Sequence, residues 1–105
     1  MEAISFVQAL SFLGGNCMAR YGRVSVTATP TLIVAANNGR RALVLDNQQS
    51  TVDIYVGPDS NITTANTASI KAGTALVFDD RFIRTAIYGV TASGSASVGW
   101  WETVE

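Results

Sequence analysis

The sequence predicts an all-β domain: an antiparallel two-sheet sandwich, jelly-roll or immunoglobulin-like, of about eight short strands preceded by an N-terminal arm. Three observations lead there. From Tyr21 onward, short segments alternate apolar and polar residues. Gly, Asn, Asp and Pro interrupt those segments at near-regular intervals. No stretch between the interruptions has room for a helix of useful length, so strands must follow strands and pair mainly antiparallel. A small closed barrel is the second architecture compatible with this pattern.

Residues 1–20 differ from the rest. Ala3, Phe6, Val7, Leu10 and Leu13 fit helical spacing, whereas Ile4, Phe6, Leu10 and Phe12 fit a period of two. Gly14-Gly15-Asn16 then breaks whichever forms. This segment reads as an arm, helix or strand, hinged to a β domain spanning 21–105.

Eight strands are expected in order. Arg23–Thr29 alternates Val24 and Val26 with Ser25 and Thr27, and Pro30 ends it. Thr31–Ala36 is β-branched and closes on Asn37-Asn38-Gly39. Arg41–Asn47 sets Arg41, Leu43 and Leu45 on one face against Ala42, Val44 and Asp46. Val52, Ile54 and Val56 alternate with Asp53 and Tyr55, before the turn Gly57-Pro58-Asp59-Ser60-Asn61. After a looser stretch come Ala68–Lys71, a turn at Ala72-Gly73, and Thr74–Phe78. Asp79-Asp80 leads into Phe82–Val90, and Ser93-Gly94 into Ser95–Val104.

Composition narrows the function. Charged residues are 14% of the 105, against roughly 25% in a typical soluble domain, while 48% are apolar. A domain this small cannot hide that much apolar surface in its own interior, which points to cover by neighbouring subunits. The net charge of −1 offers no basic stripe for nucleic acid, and Arg40-Arg41 reads as a solvated strand start. No apolar run approaches the ~20 residues of a membrane span. Cys17 is alone, which precludes an intrachain disulfide and suits a reducing cytoplasm. Leu13-Gly14-Gly15-Asn16-Cys17 has the outline of a lipoprotein cleavage box, but Asn16 stands where a small residue is needed. No export signal is read.

No catalytic, metal or cofactor site is expected. The chain has no histidine to serve as base, and Lys71 is its one lysine. Asp79-Asp80 with Asp59 could approach a calcium site, but adjacent carboxylates in extended chain point opposite ways. Asp46, Asp53, Asp79, Asp80 and Glu102 read as carboxylates that keep strand ends soluble. Asn61-Ile62-Thr63 matches a glycosylation sequon and reads as a loop.

Trp100-Trp101 is more informative. In the last strand Ala96, Val98 and Trp100 share one face, and Ser95, Ser97, Gly99 and Trp101 the other. Trp100 is therefore expected inside. Trp101 is expected on the opposite face, as an intersubunit anchor or under the chain's own arm. Ile4, Phe6, Val7, Leu10, Phe12 and Leu13 would make the arm's contacts. Their burial roughly offsets the cost of ordering the segment, so the arm gains most when docked on another subunit.

A resemblance covers about two thirds of the chain, from Val26 to Val98. Its residues are Thr29-Pro30, the turn from Asn37 into Arg40-Arg41 before Ala42–Asn47, and Ile54-Tyr55-Val56-Gly57. Further on come Thr63-Thr64-Ala65-Asn66, Ile70-Lys71-Ala72-Gly73, Asp80-Arg81-Phe82, Ala86-Ile87-Tyr88 and Ala92-Ser93-Gly94-Ser95-Ala96. In order and spacing these resemble a family of small tailed-bacteriophage virion domains, the capsid decoration (cement) proteins. The resemblance implies a β-sandwich on the phage head exterior, commonly a homotrimer bound to major capsid protein and assembled in the host cytoplasm, with no enzymatic residues. The arm lies outside the matched stretch. A tail-fibre or spike module is the alternative, stacking host-surface sugars on Tyr55, Tyr88 or Trp101 with Asp53 and Asn61 bonding hydroxyls.

Overall fold

The computed structural model describes residues 18–78 and 84–105. Eight strands form: β1 (Met18–Val26), β2 (Thr31–Val34), β3 (Arg40–Asp46), β4 (Ile54–Gly57), β5 (Ala68–Ile70), β6 (Ala75–Phe78), β7 (Ile87–Val90) and β8 (Ala96–Val104). They make two antiparallel sheets of four, in the orders β1-β8-β3-β6 and β2-β7-β4-β5. No helix occurs among the described residues. Strand pairs 1–8, 2–7, 3–6 and 4–5 are nested, as if one long hairpin had been rolled up. The contacts β8–β3 and β7–β4 zip the roll into two sheets. This is the jelly-roll connectivity, which decides between the two sandwich types that alternation alone leaves open.

The core follows the period of two except in β2, where a register shift brings both Ile33 and Val34 inward. Val26, Leu43, Leu45, Ala96 and Val98 from the first sheet meet Ile33, Val34, Ile54, Val56, Ile70 and Ile87 from the second. Gly89 leaves room in the core: a Cβ there would lie 2.8 Å from Ile33 Cδ1 on the neighbouring strand and 3.3 Å from Val26 Cγ1 of the other sheet. Trp100 takes the inward side as expected, partly buried against this cluster. Asn47 closes one end. Its side-chain amide donates to the carbonyls of Val52 (3.0 Å) and Ile70 (3.1 Å), while its backbone carbonyl accepts from Gly73 N–H.

Two readings of charge need correction. Arg40 is fully buried, not a solvated strand start, and Glu102 is buried too, not a solubilising carboxylate. Arg40 Nε donates to Glu102 Oε1 at 2.6 Å, and Arg20 donates to Oε2 through Nε (2.9 Å) and Nη2 (2.7 Å). Arg40 also donates to the carbonyls of Thr85 (2.9 Å) and Ala35. The cause is a bulge. The β3–β8 register shifts between Arg40 and Ala42, so Arg40, not Arg41, shares the inner face with Leu43 and Leu45. Arg41 is left outside beside Glu105 at 3.1 Å.

The first strand also differs from the expected Arg23–Thr29. It begins at Met18 and ends at Val26, because nine-residue β8 offers a partner to every residue from Met18 onward. Met18, Ala19 and Arg20, read as arm, thus lie in the sheet. Among the described residues of the expected Phe82–Val90 segment, β7 covers Ile87–Val90.

Candidate interaction surface

The outward face of β1-β8-β3-β6 carries a row of apolar side chains across all four strands. Tyr21 opposes Trp101, Trp101 opposes Val44, and Val44 opposes Val77. Cross-strand neighbours on one face stand about 4.5–5.5 Å apart at Cβ, so the four form one continuous ridge. Tyr21 is 81% exposed, Val77 69% and Trp101 44%. Small or polar residues flank the ridge. On one side the next row is Arg23, Gly99, Asp46 and Ala75; on the other it is Ala19, Thr103 and Ala42. Arg23 leans inward, its Nη1 donating to Ser97 O (3.2 Å) and Oγ (3.3 Å).

Trp101 is therefore exposed where the alternation put it. Tyr21, Val44 and Val77 were missed as surface residues, since their grouping arises only when four strands far apart in sequence align. The out-of-phase Val44 in Arg41–Asn47 was the available signal. Ile4, Phe6, Val7, Leu10, Phe12 and Leu13 lie outside the described residues, as do Asp79 and Asp80.

The opposite outward face is different. There Leu32, Tyr88 and Gly57 form one row, and Val90, Tyr55 and Ser69 the next. The β4–β5 loop folds back over it and places Ile62, 6% exposed, on Gly57. A Cβ at Gly57 would lie 2.3 Å from Ile62 Cγ2, so only glycine leaves room. Ile62 and Val90 are buried but stand apart from the main core, lining a shallow depression with Pro30.

The residues named for sugar recognition are dispersed. Tyr55 and Tyr88 are half-buried on this second face, and Trp101 is on the other sheet. The Asp53 carboxylate is engaged at a turn. It accepts from Ala72 N–H at 2.8 Å and from Lys71 Nζ at 3.4 Å, and the backbone hydrogen bond, ahead of the lysine, holds its pKa below the usual 3.8. The Asn61 backbone is bound into its own loop, its N–H donating to Asp59 Oδ1 and its main-chain carbonyl accepting from Asn66 Nδ2.

Among the described residues, no group of three His, Cys, Asp or Glu side chains is placed to hold a metal ion. No helix there is long and apolar enough to cross a membrane. The protein is thus an all-β jelly-roll domain with an apolar ridge on one face. No family model and no curated protein matches the chain. A solved chain from Bacillus endospore appendages, a family of disulfide-linked pili, is similar over 86% of this chain and 88% of its own. The identity is 16% and the TM-score 0.44.

Proposed function

We propose that this protein is a non-enzymatic structural subunit of a phage particle, a decoration or cement protein that binds the head exterior and stabilises the shell. Its partner is major capsid protein. The observation that carries this reading is the ridge Tyr21–Trp101–Val44–Val77, an apolar line on an otherwise small and polar sheet. Such a surface suits burial against protein, with Trp and Tyr as anchors. By analogy alone, jelly rolls recur in viral capsids, and the residue pattern from Val26 to Val98 resembles the decoration family.

In this reading the ridge seats on the shell, and the arm residues Ile4, Phe6, Val7, Leu10, Phe12 and Leu13 latch it. The test is binding to undecorated heads. Trp101→Lys, and separately deletion of residues 2–13, should abolish co-sedimentation with heads while the β domain keeps its circular dichroism and melting transition. Unchanged occupancy of both variants overturns the proposal.

A further inference from the structure

Each sheet ends in two edge strands. Among the described residues three of these edges, β6, β2 and β5, are four, four and three residues long, whereas β1 runs for nine. Very short edges are one way β proteins avoid pairing with other chains, and a long edge is a template for it. Among the described residues β1 is bonded on one side, to β8.

We propose that a second copy of this chain pairs with β1, antiparallel, about a two-fold axis at Gly22, joining two four-stranded sheets into one of eight. This goes beyond the particle role proposed above. It concerns how copies join one another and is tested without any capsid.

The strand's own residues select the register. Gly22 is the middle residue of Met18–Val26, so a ladder centred there uses the whole edge. It sets Arg20 opposite Val24 and Arg23 opposite Tyr21 of the other copy, and keeps the four guanidinium groups from facing one another. Centring on Arg20 or Arg23 would oppose like charges, which destabilises a sheet pair, and centring on Tyr21 shortens the ladder. On the outer face each Arg23 then stands opposite the other copy's exposed Tyr21, its guanidinium held over β8 by Ser97 and so turned away from the other copy's cations. An isologous contact of this kind repeats twice for one axis.

Beneath the axis, the Trp100 indole occupies the space of a Gly22 side chain: a Cβ there would lie 2.8 Å from Nε1. Trp100 is only partly buried within one copy. Pairing brings a second indole up beside the first and covers both.

Sedimentation should give twice the 11.1 kDa of the chain. In a Cys17→Ser background, Tyr21→Cys and Arg23→Cys are then made separately. Directly opposed residues fall within disulfide reach, whereas diagonal ones, about 7–8 Å apart, do not. Oxidising an equal mixture should give a disulfide-linked heterodimer, and oxidising either variant alone should give none. A chain that sediments as a monomer (its own residues occupying the edge) or as the trimer the resemblance implies overturns the proposal. So does a folded mixture that does not cross-link, or cross-linking in either variant alone.

Discussion

The two sheets treat their outward faces differently. On the β2-β7-β4-β5 face the chain supplies its own cover: the β4–β5 loop turns back, and Ile62 sits on Gly57 with Val90 alongside. On the β1-β8-β3-β6 face Tyr21, Trp101 and Val77 stand out, at 81%, 44% and 69% exposure. An apolar group costs the fold little when covered and marks an interaction site when it is not. Within one small domain, one apolar face is thus covered by the chain itself and the other is left exposed, free for the recognition proposed above. Substitutions on the two should separate into different observables.

Both faces hang on one frame, and the largest effect comes from breaking it. Glu102→Ala leaves Arg40 buried without its carboxylate. It is expected to cost about 3–5 kcal/mol, read from the midpoint of urea unfolding, and to unsettle both sheets at once. Ile62→Ala uncovers only the second face. A loss of about 2–3 kcal/mol is expected, at the low end for a buried Ile, with binding to heads and partners retained. Gly57→Ala attacks the same contact from below by forcing a methyl into Ile62. A loss of about 1–2 kcal/mol is expected, and combining it with Ile62→Ala should recover part of it.

Trp101→Lys reverses the pattern. Its unfolding free energy should stay within about 1 kcal/mol of the parent, the scale of one cross-strand pair, while association is lost. Equal losses in both observables would mean that the ridge is structural after all. The smallest effect concerns Asp53. Its pKa lies below 3.8 in the folded chain, so the folded state holds this proton less tightly than the unfolded one. The resulting stabilisation is present above about pH 4 and lost as pH falls through the folded value. Asp53→Asn should flatten that acid limb in unfolding experiments, lower stability slightly at neutral pH, and leave binding through either face unchanged.

Much of the architecture was legible because it rests on local alternation. Val52 to Val56 and Ala96 to Trp100 announce both strand and facing, and the split between Trp100 and Trp101 follows from the period alone. Where a feature depends on residues that meet only in three dimensions, the reading failed. Arg40 and Glu102 are charged, and charge argues for solvent. Glu102 shares the inward phase of Ala96, Val98 and Trp100, but its charge argued against burial, and only the bulge in β3 turns Arg40 inward to meet it. Met18-Ala19-Arg20 has no β-branched residue, so its strand character comes from its partner and not from itself. Ile62 sits in a polar loop, and nothing in its neighbours tells that Gly57 has left a place for it. The sandwich was legible, but the choice of jelly roll required the order of strands within each sheet.

That order bears on how the molecule comes to exist. β8, the last nine-residue strand, lies between β1 and β3, and it pairs with β1 through residues seventy or more apart. Until those final residues have been synthesised, one sheet lacks an inner strand and β1 has no ladder. Such distant pairings form slowly and leave nascent chains prone to sticking together. Pairing of β8 is therefore the step that completes this sheet, and a chain lacking that strand would leave β1 and β3 without their shared partner.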